Sequence, residues 1–188
     1  MSELLQLWLP ILLSALAVFI ASSILHMVIP IHANDNRKLP NENEVLPVLG
    51  KGNLAPGTYM FPHCGDMKNM GTDEMIEKYQ RGPVGFVTIM PTGTPNIGKS
   101  LLQWFVFTIT VSVFCAYVGT FTLAHGADYM RVFRLIGTVA FLGYGWGVIT
   151  ESIWKGQPWS VTMKFMFDGL VYALVTAGVF GSMWPAAS

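Results

Sequence analysis

The chain reads as an all-α integral membrane protein, with four antiparallel transmembrane helices in an up-down bundle and a mostly irregular polar cap between helices 1 and 2. Three observations predict this. Residues 4–34, 100–127, 135–150 and 169–188 contain no Asp, Glu, Lys or Arg. Hydrophobic residues make up 52% of the 188 and charged residues 12%, with a mean hydropathy of +0.48; a soluble domain carries about a quarter charged residues. Of 11 basic and 11 acidic side chains, 14 lie between Asp35 and Lys99, so one aqueous segment interrupts an otherwise apolar chain. A bilayer core about 30 Å thick takes roughly 20 apolar residues per helix, and only helices or closed barrels satisfy the backbone there.

The first helix is expected over 4–31. Ala15 and Ala17 offer an A-x-A-like cleavage pattern, but the leading Met-Ser-Glu has no basic residue and the apolar run outlasts a signal-peptide core, so the helix is expected to be retained. The cap follows over 32–99. Within it Thr72 to Pro83 spells a short helix over 73–81: a Thr cap, acids in the first turn, Glu74 with Lys78 and Glu77 with Arg81 at i,i+4, then a Gly-Pro stop. Val84 to Met90 reads as a short strand, and frequent Pro and Gly break the remainder. Three further membrane helices are expected over 101–124, 132–153 and 161–184, and the short connections between them force antiparallel neighbours.

Seven basic residues in the long loop, with Lys155 and Lys164, outnumber Arg131 and Arg134 on the other side. This places the loop 32–99 in the cytoplasm and both termini outside, in a bacterial inner membrane. No basic stripe points to nucleic acid, and Cys64 and Cys115 are expected as two free thiols.

Small residues recur every fourth position: Ser112, Ala116, Thr120 and Ala124 in the second helix, Gly143 and Gly147 in the third, Gly169, Ala173, Ala177 and Gly181 in the fourth. Such ladders let backbones approach closely, within the chain or against a partner subunit. Ionisable groups within membrane helices are costly and tend to be functional. Alternation of direction puts His26, Glu151, Lys164 and Asp168 at one end of the bundle, where they form a candidate polar cluster. Lys164 and Asp168 share a face at i,i+4 and can pair, while Tyr172 and Thr176 continue the Asp168 face as a polar track.

Gly93 to Ser100 satisfies G-x-x-x-x-G-K-[ST], and its wording resembles the phosphate loop of Era-like GTPases. In that family backbone amides wrap the phosphates, the Lys neutralises them and the Ser meets magnesium. Here the next helix is an uncharged membrane span, where a nucleotide domain needs an amphipathic helix on a parallel sheet, and no D-x-x-G or N-K-x-D follows. The eight residues read as a chance match at a helix start whose exposed amides suit a lipid phosphate. Met60, His63, Cys64, Met67 and Met70 form a soft-donor group that would suit Cu(I).

No Ser-His-Asp or paired-carboxylate pattern marks an enzyme, and no cofactor is expected beyond bound lipid. The leading expectation is a non-enzymatic structural or accessory component that packs with membrane lipid and with copies of itself or a larger membrane complex, without nucleic acid or nucleotide. The alternatives are a small transporter or ion-conducting oligomer using Asp168, Glu151 and His26, and copper binding by the Met60 to Met70 loop.

Overall fold

The structure, a computed structural model, describes residues 2–187. In chain order its elements are α1 (Ser2–Gln6), α2 (Trp8–Ser23), α3 (Glu42–Lys51), β1 (Gly57–Phe61), α4 (Asp73–Arg81), β2 (Gly85–Ile89), α5 (Ile97–Thr122), α6 (Tyr129–Tyr144), α7 (Ile149–Lys155) and α8 (Trp159–Met183). The molecule is mostly helical, with four stretches long and apolar enough to cross a membrane: Trp8–Val28, Ile97–Thr122, Tyr129–Lys155 and Trp159–Met183.

The chain divides into two compact units, one holding the four apolar stretches, the third of them as far as Ile153, and the other formed by residues 36–95 with 154–156. In the apolar unit α6 packs along α8, α2 touches both α8 and α5, and α5 touches α6. Its core combines Leu7, Val111, Cys115, Val132, Ile136, Ala140 and Phe180. Outside it lie Leu12, Leu16, Ile20, Phe114, Phe121 and Leu174, large apolar side chains left exposed as lipid-facing surfaces require.

The backbones of α8 and of the chain just after α6 approach closely. A Cβ on Gly169 would lie 2.4 Å from the Cα of Gly145. The small-residue ladders distribute accordingly. Ser112, Ala116, Gly169, Ala173 and Ala177 are buried, Thr120 is half-buried, and Gly181 lies under the ring of Tyr129. Gly143 and Gly147 are exposed, with Val111 against the first and open space at the second, so Gly145 makes the contact that their spacing suggested. The third span is correspondingly interrupted: α6 ends at Tyr144, and a 3-10 turn over Trp146–Val148 leads into α7.

The first apolar stretch also departs from one continuous helix to residue 31. After Ser23 it widens into a π turn over Ile24–Val28, closed by the Ile29 amide donating to the Ile24 carbonyl at 3.0 Å. Pro30 explains the ending. It has no N–H to continue the ladder, and it drives Ile29 into extended backbone at φ −93 and ψ 117. A 3-10 turn over Pro30–His32 follows.

In the polar unit α4 occupies the expected span, with Lys78 on Glu74 at 2.7 Å and Arg81 on Glu77. Thr72 holds the cap position in extended backbone, but its hydroxyl donates back to the Asn69 carbonyl instead of capping the helix. The expected strand within 84–90 forms as β2, and two further features lie beyond the expected irregular segment. Glu42–Lys51 forms a helix, and β1 pairs antiparallel with β2, Tyr59 opposite Val87.

Candidate functional site

The π turn and the 3-10 turn after it set two imidazoles face to face. His26 and His32 stack with ring centroids 4.5 Å apart and planes 7° from parallel. A π turn adds a residue to the helical repeat and so re-aims the side chain it carries, here His26. Opposite the pair stands Asp168, nine residues into α8 and 1% exposed. Its Oδ2 is 2.9 Å from His32 Nε2 and 3.7 Å from His26 Nε2. Despite these separations, His32 Nε2 and both carboxylate oxygens of Asp168 make no well-aligned hydrogen bond.

The outer nitrogens of both rings are held. His26 Nδ1 lies 3.1 Å from the Ser22 carbonyl, which can only accept, so that nitrogen carries the proton. His32 Nδ1 lies 2.6 Å from Asp35 Oδ2, and Lys164 Nζ is 2.5 Å from Asp35 Oδ1. The hydrogen bond from Lys164, with His32 beside it, holds the Asp35 carboxyl below its ordinary 3.8. Asp35 is therefore an anion that accepts from His32 Nδ1–H. With both Nδ1 atoms held by acceptors, His26 and His32 each turn Nε2 toward the same Asp168 oxygen.

Beside this cluster opens a cavity of about 370 Å³, lined by Ser22, His26, Trp104, Tyr144, Asp168 and Tyr172 among others. Its aromatic wall is mutually ordered: Trp104 and Tyr172 meet edge to face at 5.8 Å, as do Tyr144 and Tyr172 at 5.7 Å. Trp104 Nε1 donates to Ser22 Oγ at 2.9 Å, and Tyr144 Oη donates to the Thr108 carbonyl at 3.3 Å. The Tyr172 hydroxyl, one turn from Asp168, is buried with no hydrogen-bond partner. Exposed Met27, Leu101 and Phe165 also line the cavity, so its mouth is apolar.

Of the four residues grouped from sequence, His26 and Asp168 come together. Lys164 pairs with Asp35 and not with Asp168, because a long flexible lysine chain snorkels outward from its helix face. Glu151 lies half-buried in α7, its backbone carbonyl accepting from the Gln157 amide. His32 and Asp35 join the cluster from outside the expected membrane helices. Pro30 followed by His-x-x-Asp at a helix end was the available signal, since i,i+3 spacing on a tight turn lets the carboxylate reach the ring.

In the polar unit, Met60 lies on β1, Cys64 is a half-buried free thiol, and His63, Met67 and Met70 are exposed. Among the described residues, the group of three or more His, Cys, Asp or Glu whose ligand atoms converge is His26, His32 and Asp168, all within 4.8 Å of one another. The Gly93 to Ser100 segment runs into the first turn of α5, where the Asn96 side chain accepts from the Lys99 amide at 3.0 Å. The strand before it belongs to a two-stranded antiparallel sheet. No protein-family model, curated protein or solved structure matches the chain.

Proposed function

We propose that this membrane protein works through the cavity at the Asp168 end of its apolar unit, where it receives a lipid-soluble small molecule with a ring-bearing apolar body and a polar head. The supporting observation is a 370 Å³ cavity with aromatic walls and an apolar mouth, which reaches the buried carboxylate of Asp168. Ligand sites are mostly apolar, of about 300–1,000 Å³, with a few polar groups that fix orientation. Tyr172 Oη and Asp168 are those groups here: the first donates to a ligand oxygen, the second accepts from a ligand hydroxyl or binds a cation next to it. The exposed apolar rim of Met27, Leu101 and Phe165 favours arrival from the lipid phase.

In this proposal the four spans alternate in direction, and the basic residues of 36–95 favour a cytoplasmic location for that segment. A scaffold role draws support from Gly147, a ladder position with open space around it that suits a neighbouring helix. The two are separated by titrating the detergent-purified full-length protein with decylubiquinone as a ring-headed probe and following tryptophan fluorescence. Saturable quenching that disappears in Trp104→Phe supports the cavity as a binding site. Quenching that is linear in probe, or identical in wild type and Trp104→Phe, favours the scaffold.

A further inference from the structure

We infer that His26 Nε2, His32 Nε2 and the Asp168 carboxylate are the protein ligands of one divalent first-row metal ion, at the inner end of the cavity described above. The inference builds on the assignment of that cavity as the working site, but it stands on separate atoms.

The first ground is convergence. Ser22 and Asp35 occupy the two Nδ1 atoms, so both imidazoles aim Nε2 at one carboxylate oxygen, 2.9 and 3.7 Å away. Three potential donor atoms thus converge on one point. One proton can bridge one pair of these atoms, whereas a metal ion satisfies all three together.

The second ground is the outer shell. Metal-bound histidines characteristically donate their other ring N–H to a carboxylate or a backbone carbonyl, which fixes ring orientation and raises ligand basicity. Both forms are present: Asp35 holds His32, itself anchored by Lys164, and the Ser22 carbonyl holds His26.

The third ground is distance. With metal–ligand bonds of about 2.1 Å, two ligands on one ion stand at most about 4.2 Å apart. The two contacts to Asp168 Oδ2 fall inside that limit, and the full spread of 4.8 Å closes with a shift of about half an ångström or slightly more. His26 can supply it, since its side chain is 41% exposed and sits on the π turn. Two imidazoles and a carboxylate suit Zn²⁺, Fe²⁺ or Mn²⁺ and not Cu(I), which prefers sulfur. Three protein ligands leave at least one coordination position open, as in catalytic zinc centres. His26 and Asp168 both line the cavity, so that position faces the ligand space.

The test uses full-length protein in mild detergent, stripped with chelator and titrated with Co²⁺ alone. The expected result is one Co²⁺ per chain with visible d–d bands, displaced by Zn²⁺. Asp168→Asn and His32→Gln should each weaken binding at least 100-fold, while His63→Ala with His125→Ala leaves it unchanged. If Asp168→Asn fails to fold by circular dichroism and gel filtration, His32→Gln and His26→Gln decide. Absence of stoichiometric Co²⁺, or binding indifferent to both histidine variants, would overturn the assignment in favour of a proton shared between His32 and Asp168. Probe quenching measured on the metal-free protein reports the cavity separately, so loss of the metal site and loss of the cavity reading give different results.

Discussion

His32 faces Asp168 and Asp35 at once, 2.9 Å from the first through Nε2 and 2.6 Å from the second through Nδ1. One ring thus joins a turn just beyond the first span to a carboxylate buried in the last. Because Asp35 also holds Lys164, the chain Lys164, Asp35, His32, Asp168 leaves α8 and returns to it one helical turn further along. Asp35, itself held by Lys164, thus fixes the ring from its Nδ1 side.

Asp35→Asn removes the anion that fixes the His32 tautomer and releases Lys164. Loss of such an outer partner typically costs 10- to 100-fold in metal affinity. Co²⁺ titration of this variant should show a loss in that range with the stoichiometry of one retained, and an affinity equal to wild type would mean that Asp35 does not orient the ligand.

Tyr172→Phe separates stability from binding. A buried hydroxyl without a partner costs roughly 1–3 kcal/mol, and Tyr172 Oη is such a group. Its removal should raise the melting temperature in detergent while weakening the decylubiquinone probe about tenfold, consistent with one lost hydrogen bond. A lower melting temperature would show that the hydroxyl is already satisfied in solution.

Gly169→Ala tests the close backbone contact with Gly145. The added methyl would meet the Gly145 Cα at 2.4 Å and its nitrogen at 2.7 Å, both backbone atoms that cannot rotate away. Overpacking of this kind costs about 1–3 kcal/mol, read as a lower melting temperature. Gly147→Ala, with open space around it, should leave the melting temperature of the purified protein unchanged.

Much of the architecture was readable because membrane spans announce themselves through missing charge, a signal summed over some twenty positions. The same signal hid their ends and breaks. The π turn depends on Pro30 acting backward on the preceding backbone, and the interruption after Tyr144 depends on Gly145 meeting Gly169 in the fold. Spacing on one helix singled out Asp168, but also paired Lys164 with it, because sequence distance ranks Asp168, four residues from Lys164, above Asp35, 129 residues away. His32 and Asp35 lay in what read as an aqueous loop, and their value comes only from a turn that folds them back over α8.

Ser14 and Ser112 lie with hydroxyl oxygens 3.0 Å apart, both fully buried, between α2 and α5. Hydrogen bonds between membrane helices average about 0.6 kcal/mol. Ser14→Ala should therefore lower unfolding stability in mixed micelles by about that amount, several-fold less than Gly169→Ala; an equal or larger loss would make this polar contact, and not close backbone packing, the main tie.

The most direct test of the centre is a crystal of the zinc-loaded protein measured on both sides of the zinc absorption edge. The account predicts one anomalous peak per chain, about 2.0–2.2 Å from His26 Nε2, His32 Nε2 and an Asp168 oxygen, with a remaining coordination position open to the Trp104 and Tyr172 wall. A map with no peak between these three side chains, or with zinc bound only at His63 and Cys64, would contradict it.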